Sequence, residues 1–152
     1  GTIAHSRAET VIGSYNTVYT PAGGTRDWNP TDRLFVVGNG TGSTSASRTD
    51  ALIVFKDGTA TTSGDWTGPG FNKLSDRRLK TNIKPLNQKA EKILKLKPKQ
   101  FNYKKNSQKT QFGFLAQEVE KIYPELVHQV SGNNSLKSID YFGLIPLLIQ
   151  VV

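Results

Sequence analysis

Residues 1–74 hold only two apolar runs long enough to be strands, RLFVV at 33–37 and ALIVFK at 51–56. The tract between them, GNGTGSTSASRTD, has the composition of a loop. This scarcity of apolar sequence constrains the fold more than any motif does. Strands so short and thin do not close a core within one chain. They are expected to bury their apolar faces against neighbouring copies, as in a trimeric β-fibre or β-roll. After the second run, KDGT at 56–59 is a hairpin signal, because Asp-Gly supplies the positive φ values of a tight turn. The following TATTSGDW is too polar to be buried on either face. Upstream, AHSRAETVIGSYNTVYTP alternates small or apolar with polar residues, and Gly13 is read there as a turn position.

The chain changes character at KLSDRRLKTNI, residues 73–83. Of the 152 residues, 1–74 carry six Lys+Arg and six Asp+Glu, whereas 75–152 carry fourteen and six, so the net charge of +8 lies wholly after this joint. A basic half invites a nucleic-acid reading. Its lysines, however, are spread among structural apolar positions, and no aromatic platform interleaves with them as single-strand stacking needs. No nucleic-acid partner is expected. Cysteine is absent, and His5 and His128 are the only imidazoles, so no metal or other cofactor is expected. A mean hydropathy of −0.45 fits a protein that completes its core by oligomerising. No stretch approaches the ~20 apolar residues of a membrane span, and LIPLLIQVV at 144–152 reads as a core or interface helix. The chain starts mid-pattern and without Met, so an upstream region is expected.

The second half reads as mixed helix and strand. Residues 88–96 form a short amphipathic helix with Ala90, Ile93, Leu94 and Leu96 on or near one face, stopped by Pro98. KQFNYKK is a strand and KNSQKT a polar turn. QFGFLAQEVEKIYPELV runs from strand into a helix with Leu115, Val119 and Ile122 on one face, ended by Pro124. GNNSLKSID makes a turn and a short strand, and Asp140 is the expected N-cap of a last helix over YFGLIPLLIQVV.

Four stretches in this order, SDRRLKTNI, L…LKPKQFNY, GFLAQEVEKIYPELV and IDYFGLIPLLI, resemble the C-terminal intramolecular chaperone domain of phage tailspikes, tail fibres and endosialidases. The same domain occurs as the autoprocessing domain of a membrane-tethered transcription factor family. In those relatives DNA binding resides in a separate domain with no counterpart here. Upstream, AHSRAETVIGSYNT resembles one degraded turn of the β-roll heads of trimeric bacterial surface proteins. The segment DRLFVVGNGT…SRTDALIVFKDG resembles one that often precedes the C-terminal domain of fibre-like proteins.

The resemblance implies an α+β protein in two parts. Residues 1–74 are a β-rich fibre or head-like segment, and residues 75–152 are a chaperone domain, assembled as an intertwined homotrimer. It implies an intramolecular chaperone that trimerises the upstream segment and then cuts the Leu74–Ser75 bond, as a single-turnover serine endopeptidase. Ser75 is the nucleophile and Lys80 the base. Asp76, Arg78 and Glu118 are supporting residues that order the joint or pair across subunits. The partners implied are the upstream fibre segment and two further copies of the chain, without membrane insertion. The setting implied is a phage virion tail fibre or a bacterial cell surface. The alternative is an uncut trimerisation cap or fibre tip. In the family the last helix usually continues as a coiled coil, whereas this sequence stops at Val152. By composition alone, SDRRLK also reads as a capped helix start, with Ser75 or Asp76 as N-cap.

Overall fold

The computed structural model describes residues 1–86, 90–104, 106–130 and 133–151. The chain folds as two compact units, Gly1–Asn72 and Lys73–Val152.

The N-terminal unit is one sheet whose spatial order follows the chain: β1 (Thr10–Ser14), β2 (Arg33–Asn39), β3 (Asp50–Phe55) and β4 (Ala60–Thr62). β1 runs parallel to β2, and the other two pairs are antiparallel. Gly13 is not at a turn, as its residue type suggests, but inside β1, paired with Gly38 of β2. Its φ of +87° and the 2.1 Å that would separate a Cβ from the Gly38 carbonyl oxygen leave room for glycine alone.

Among the described apolar side chains of this unit only Val36 and Phe55 are buried. Polar side chains take over the closing role. Asn16, fully buried, accepts from the Ile3 N–H at 2.8 Å and donates to the Ile3 carbonyl at 2.9 Å. Buried Asp32 accepts from the N–H groups of Ala22 and Gly23. The Arg33 guanidinium lies 4.1 Å from the Tyr19 ring centroid, donates to the Thr17 carbonyl and pairs with Asp50, which in turn accepts from the Thr17 N–H. Each of these groups is satisfied by a loop it also positions, which is how a thin sheet holds long connections with so little apolar area.

Among its described residues the C-terminal unit has two hairpins and several short helical pieces. β5 (Lys99–Tyr103) pairs antiparallel with β6 (Asn106–Gly113), and β7 (Val127–Val130) with β8 (Asn133–Ile139). A 3-10 segment spans Ala90–Lys95, α1 is Ala116–Glu120 and α2 is Leu144–Val151. These pack into one core of Ala90, Ile93, Val119, Tyr123, Leu144 and Leu147, with Leu96, Phe114, Ile122, Leu126 and Val151 against it.

Several local expectations are corrected here. The segment around 90–96 is 3-10, not α, and the expected helix positions 88 and 89 lie outside the described residues. Three residues per turn line up Ala90, Ile93 and Leu96 and turn Leu94 outward, 78% exposed. The tract NSQKT is not a turn but the start of β6, because pairing with β5 overrides its composition. α1 ends at Glu120, and Pro124 opens a separate 3-10 turn, Pro124–Leu126, instead of ending the helix. Leu115 is the N-cap of α1 and half exposed, while Val119 is fully buried. Asp140 caps the turn before α2, accepting from the Gly143 N–H at 3.1 Å, and α2 starts at Leu144, later than the expected start at Tyr141.

Two substitutions test this core. Leu147→Ala is expected to lower the unfolding free energy by about 2–5 kcal/mol. Leu94→Ala should change it by no more than about 0.5 kcal/mol, as for an exposed side chain. Denaturant titration of both variants reads the difference, and an α-helical 90–95 segment would make Leu94 costly. In the N-terminal unit, Gly13→Ala is expected to destabilise by more than about 1 kcal/mol, since strained φ and backbone overlap add; a melt of that variant checks it.

Candidate active site

The joint is organised by one acidic side chain. Asp76 follows an extended stretch and is the N-cap of a single 3-10 turn, Arg77–Leu79. Its Oδ1 accepts from the Arg78 N–H at 2.8 Å and its Oδ2 from Arg78 Nη2 at 2.9 Å, so one carboxylate holds both backbone and guanidinium of the same residue. The turn is closed by the Lys80 N–H donating to the Arg77 carbonyl. One turn of chain thereby folds residue 80 back over residue 75, and Lys80 Nζ lies 2.6 Å from Ser75 Oγ.

The capped turn and the serine–lysine contact in SDRRLK are therefore one arrangement. The cap on Asp76 is what makes the serine–lysine contact. Hydrogen bonding to Arg78 holds the Asp76 carboxyl below its usual range and raises the Arg78 guanidinium above its own.

The upstream side of the joint is tied to the C-terminal core. Lys73 Nζ donates to Asp140 Oδ2 at 2.6 Å. Hydrogen bonding by Lys73 is also the main cause of the depressed pKa of Asp140, against the opposing effect of burial. Leu74, between Lys73 and Ser75, is 86% exposed. Ser75 and Lys80 face solvent as well.

Of the residues expected at the site, Ser75, Lys80, Asp76 and Arg78 come together in one turn. Glu118 stands elsewhere: on α1, its carboxylate pairs with Lys99 Nζ of β5 at 3.4 Å. Asp140 is the member that sequence reading assigns only a capping role. A lone aspartate before an apolar helix signals a cap, and nothing local in the sequence signals its second partner.

The chemistry open to this arrangement is acyl transfer. A hydroxyl beside an amine can lose its proton to that amine as it attacks a carbonyl, and the peptide carbonyl preceding Ser75 in the chain is that of Leu74. Among the described residues, no group of three or more His, Asp or Glu side chains is placed to hold a metal ion. No helix among them is long and apolar enough to cross a membrane.

Residues 75–128 match the family model described as chaperone of endosialidase. The match begins at the serine of the joint and covers less than half of the chain. It supports the C-terminal chaperone domain that the four motifs resemble. No curated protein was found to match the chain.

The electrostatics of the turn are directly testable. The Asp76 carboxyl should titrate below 3.8 by NMR, and Arg78→Ala should raise it. Because its folded pKa is depressed, whatever Asp76 adds to the order of the turn is present above its unfolded pKa and is lost as pH falls through the folded one. Chemical shifts of residues 75–80 should follow that acidic titration in the native chain and lose it in Arg78→Ala.

Proposed function

From the match of residues 75–128 to the chaperone-of-endosialidase family, we propose that residues 75–152 are an intramolecular chaperone domain. It brings three copies of the β-rich segment 1–74 into register and then releases itself by cutting Leu74–Ser75. The observation that carries the reading is the 2.6 Å contact between Lys80 Nζ and Ser75 Oγ at the first residue of the family match.

The step balances within one chain. Ser75 Oγ bonds to the Leu74 carbonyl carbon and its proton passes to Lys80 in the amine form. The Leu74–Ser75 C–N bond then breaks, and the Ser75 amine leaves with the proton from Lys80. Water hydrolyses the ester that remains between the Leu74 carbonyl and Oγ. The reaction is internal and single-turnover, so holding the groups in place is the main catalytic contribution. Asp76 and Arg78 supply that hold.

A lysine serves as base where burial disfavours its charged form, and in the single chain Lys80 faces solvent. In this reading a neighbouring copy covers the joint, so that cleavage waits for assembly. The C-terminal unit leaves apolar surface for such a neighbour: Leu79 and Ile83 after the joint, and Ile145, Leu148 and Ile149 on the outer face of α2, are all exposed. The assembled product is an intertwined homotrimeric fibre of a phage tail or bacterial surface, kinetically stable once its template has gone.

The exposure of Ser75 and Lys80 also favours a second reading, an uncut trimerisation cap, if no neighbour covers them. One experiment separates the two. The intact chain is folded, then examined on a denaturing gel and by mass spectrometry beside Ser75→Ala and Lys80→Ala. Fragments 1–74 and 75–152 in the native sequence alone are the expected result. An intact native band in a native trimer leaves the cap. A monomer at micromolar concentration overturns both.

A further inference from the structure

Three side-chain contacts bracket the Leu74–Ser75 bond. Two lie downstream, Ser75 with Lys80 and Asp76 with Arg78, and both are local. The third lies upstream and spans 67 residues: Lys73 Nζ to Asp140 Oδ2. We propose that Lys73 and Asp140 form a latch that positions the scissile bond and links it to the seating of α2. The proposal rests on the self-cleavage reading for its consequence, but its geometry is independent of it.

Asp140 is held from both sides. Its residue directly follows β8, whose last residue, Ile139, pairs with Val127. Its N–H donates to the Leu126 carbonyl at 2.8 Å. Its Oδ1 accepts from the Gly143 N–H, immediately before Leu144, which is buried in the core. The neighbouring Tyr141 hydroxyl accepts from the Phe114 N–H at 3.0 Å. The carboxylate is thus fixed from β8 on one side and from α2 on the other, with one oxygen used for the cap and the other for Lys73.

Lys73 has the opposite character. Its side chain is 64% exposed, and residues 63–74 form neither helix nor strand. The contact with Asp140 is what ties this stretch to a rigid point two residues before Ser75. An exposed ion pair of this kind adds little to global stability. Its effect is on where the chain runs: with Lys73 held at one end and the Asp76-capped turn at the other, a single residue, Leu74, has freedom between them. Positional errors of about 1 Å at a reacting bond cost up to about 10²-fold in rate, so a tether too weak to matter for folding is strong enough to matter for cleavage.

The latch also depends on assembly. Leu144 and Leu147 of α2 face the core, while Ile145, Leu148 and Ile149 are left exposed on its other side. A neighbouring copy seated on that outer face would hold α2, and with it the Gly143 cap, Asp140 and Lys73. Asp140 and Lys73 are positioning residues here, since neither touches the reacting atoms.

The test uses the full chain in native sequence and as Lys73→Gln, Lys73→Arg, Asp140→Asn and the Lys73→Gln/Asp140→Asn double variant, with cleavage followed over time. The expected result is a roughly tenfold slower cleavage in Lys73→Gln and in Asp140→Asn, no further slowing in the double variant, and a near-native rate in Lys73→Arg. Lys73 is exposed, so its substitution leaves the fold intact, and a melt confirms this. Native rates in Lys73→Gln and Asp140→Asn overturn the latch, as does additive slowing in the double variant.

A second arm does not require cleavage. In Ser75→Ala, amide hydrogen exchange at residues 74–76 is expected to speed up about tenfold on adding Lys73→Gln and not on adding Lys73→Arg. Unchanged exchange overturns the latch even if the native chain is never cut. Absence of cleavage in the native chain with the expected exchange pattern overturns the self-cleavage reading alone.

Discussion

The upstream hold on the joint, Lys73 to Asp140, depends on the packing of α2 against α1 and the 3-10 segment at 90–95. None of the three is long enough to be stable alone in water. Together they bury Val119 and Tyr123 among Ala90, Ile93, Leu144 and Leu147, and the Tyr123 hydroxyl donates to the Ala90 carbonyl across that core. Because Leu144 is seated there, the turn before it is fixed, and with it Asp140. From Asp140 the order passes to Lys73, and so to the bond where the composition of the chain changes. A small apolar core thus reaches an exposed segment through one carboxylate.

The two units answer the same shortage of apolar residues differently. The C-terminal unit concentrates them in helical pieces whose i, i+3 and i+7 positions face inward, as Leu144, Leu147 and Val151 do on α2. The N-terminal unit buries polar groups and pairs them with its own loops: Asn16 on Ile3, Asp32 on the turn at 22–23, Arg33 between Tyr19, Thr17 and Asp50. Such a network holds only while every member is paired. It specifies one path for loops that apolar packing would leave loose. Exposed side chains such as Ile12, Trp28 and Trp66 remain on its surface.

The joint shows why local chemistry was legible and its support was not. Asp76, Arg78, Ser75 and Lys80 lie within six residues, so a capped turn and a serine–lysine contact are both written in consecutive positions. Glu118 lies far along the chain, and its partner is Lys99, not the joint. In the same way the strands at 33–39 and 50–55 follow from their β-branched runs, whereas β6 begins in the polar NSQKT because β5 is there to pair with it.

By itself, the sequence determined the order of elements, the place where the composition breaks, the turn that carries Ser75 and Lys80, and the family likeness of residues 75–128. All of these depend on neighbours within a few positions or on motif order. Only the tertiary structure decided that 90–95 winds as 3-10 and expels Leu94, that Gly13 lies against Gly38 inside the sheet, and that Asp140 pairs with Lys73. These depend on which distant surfaces meet. A carboxylate 67 residues from its lysine is chosen by the packing of α2, and no local pattern records that choice.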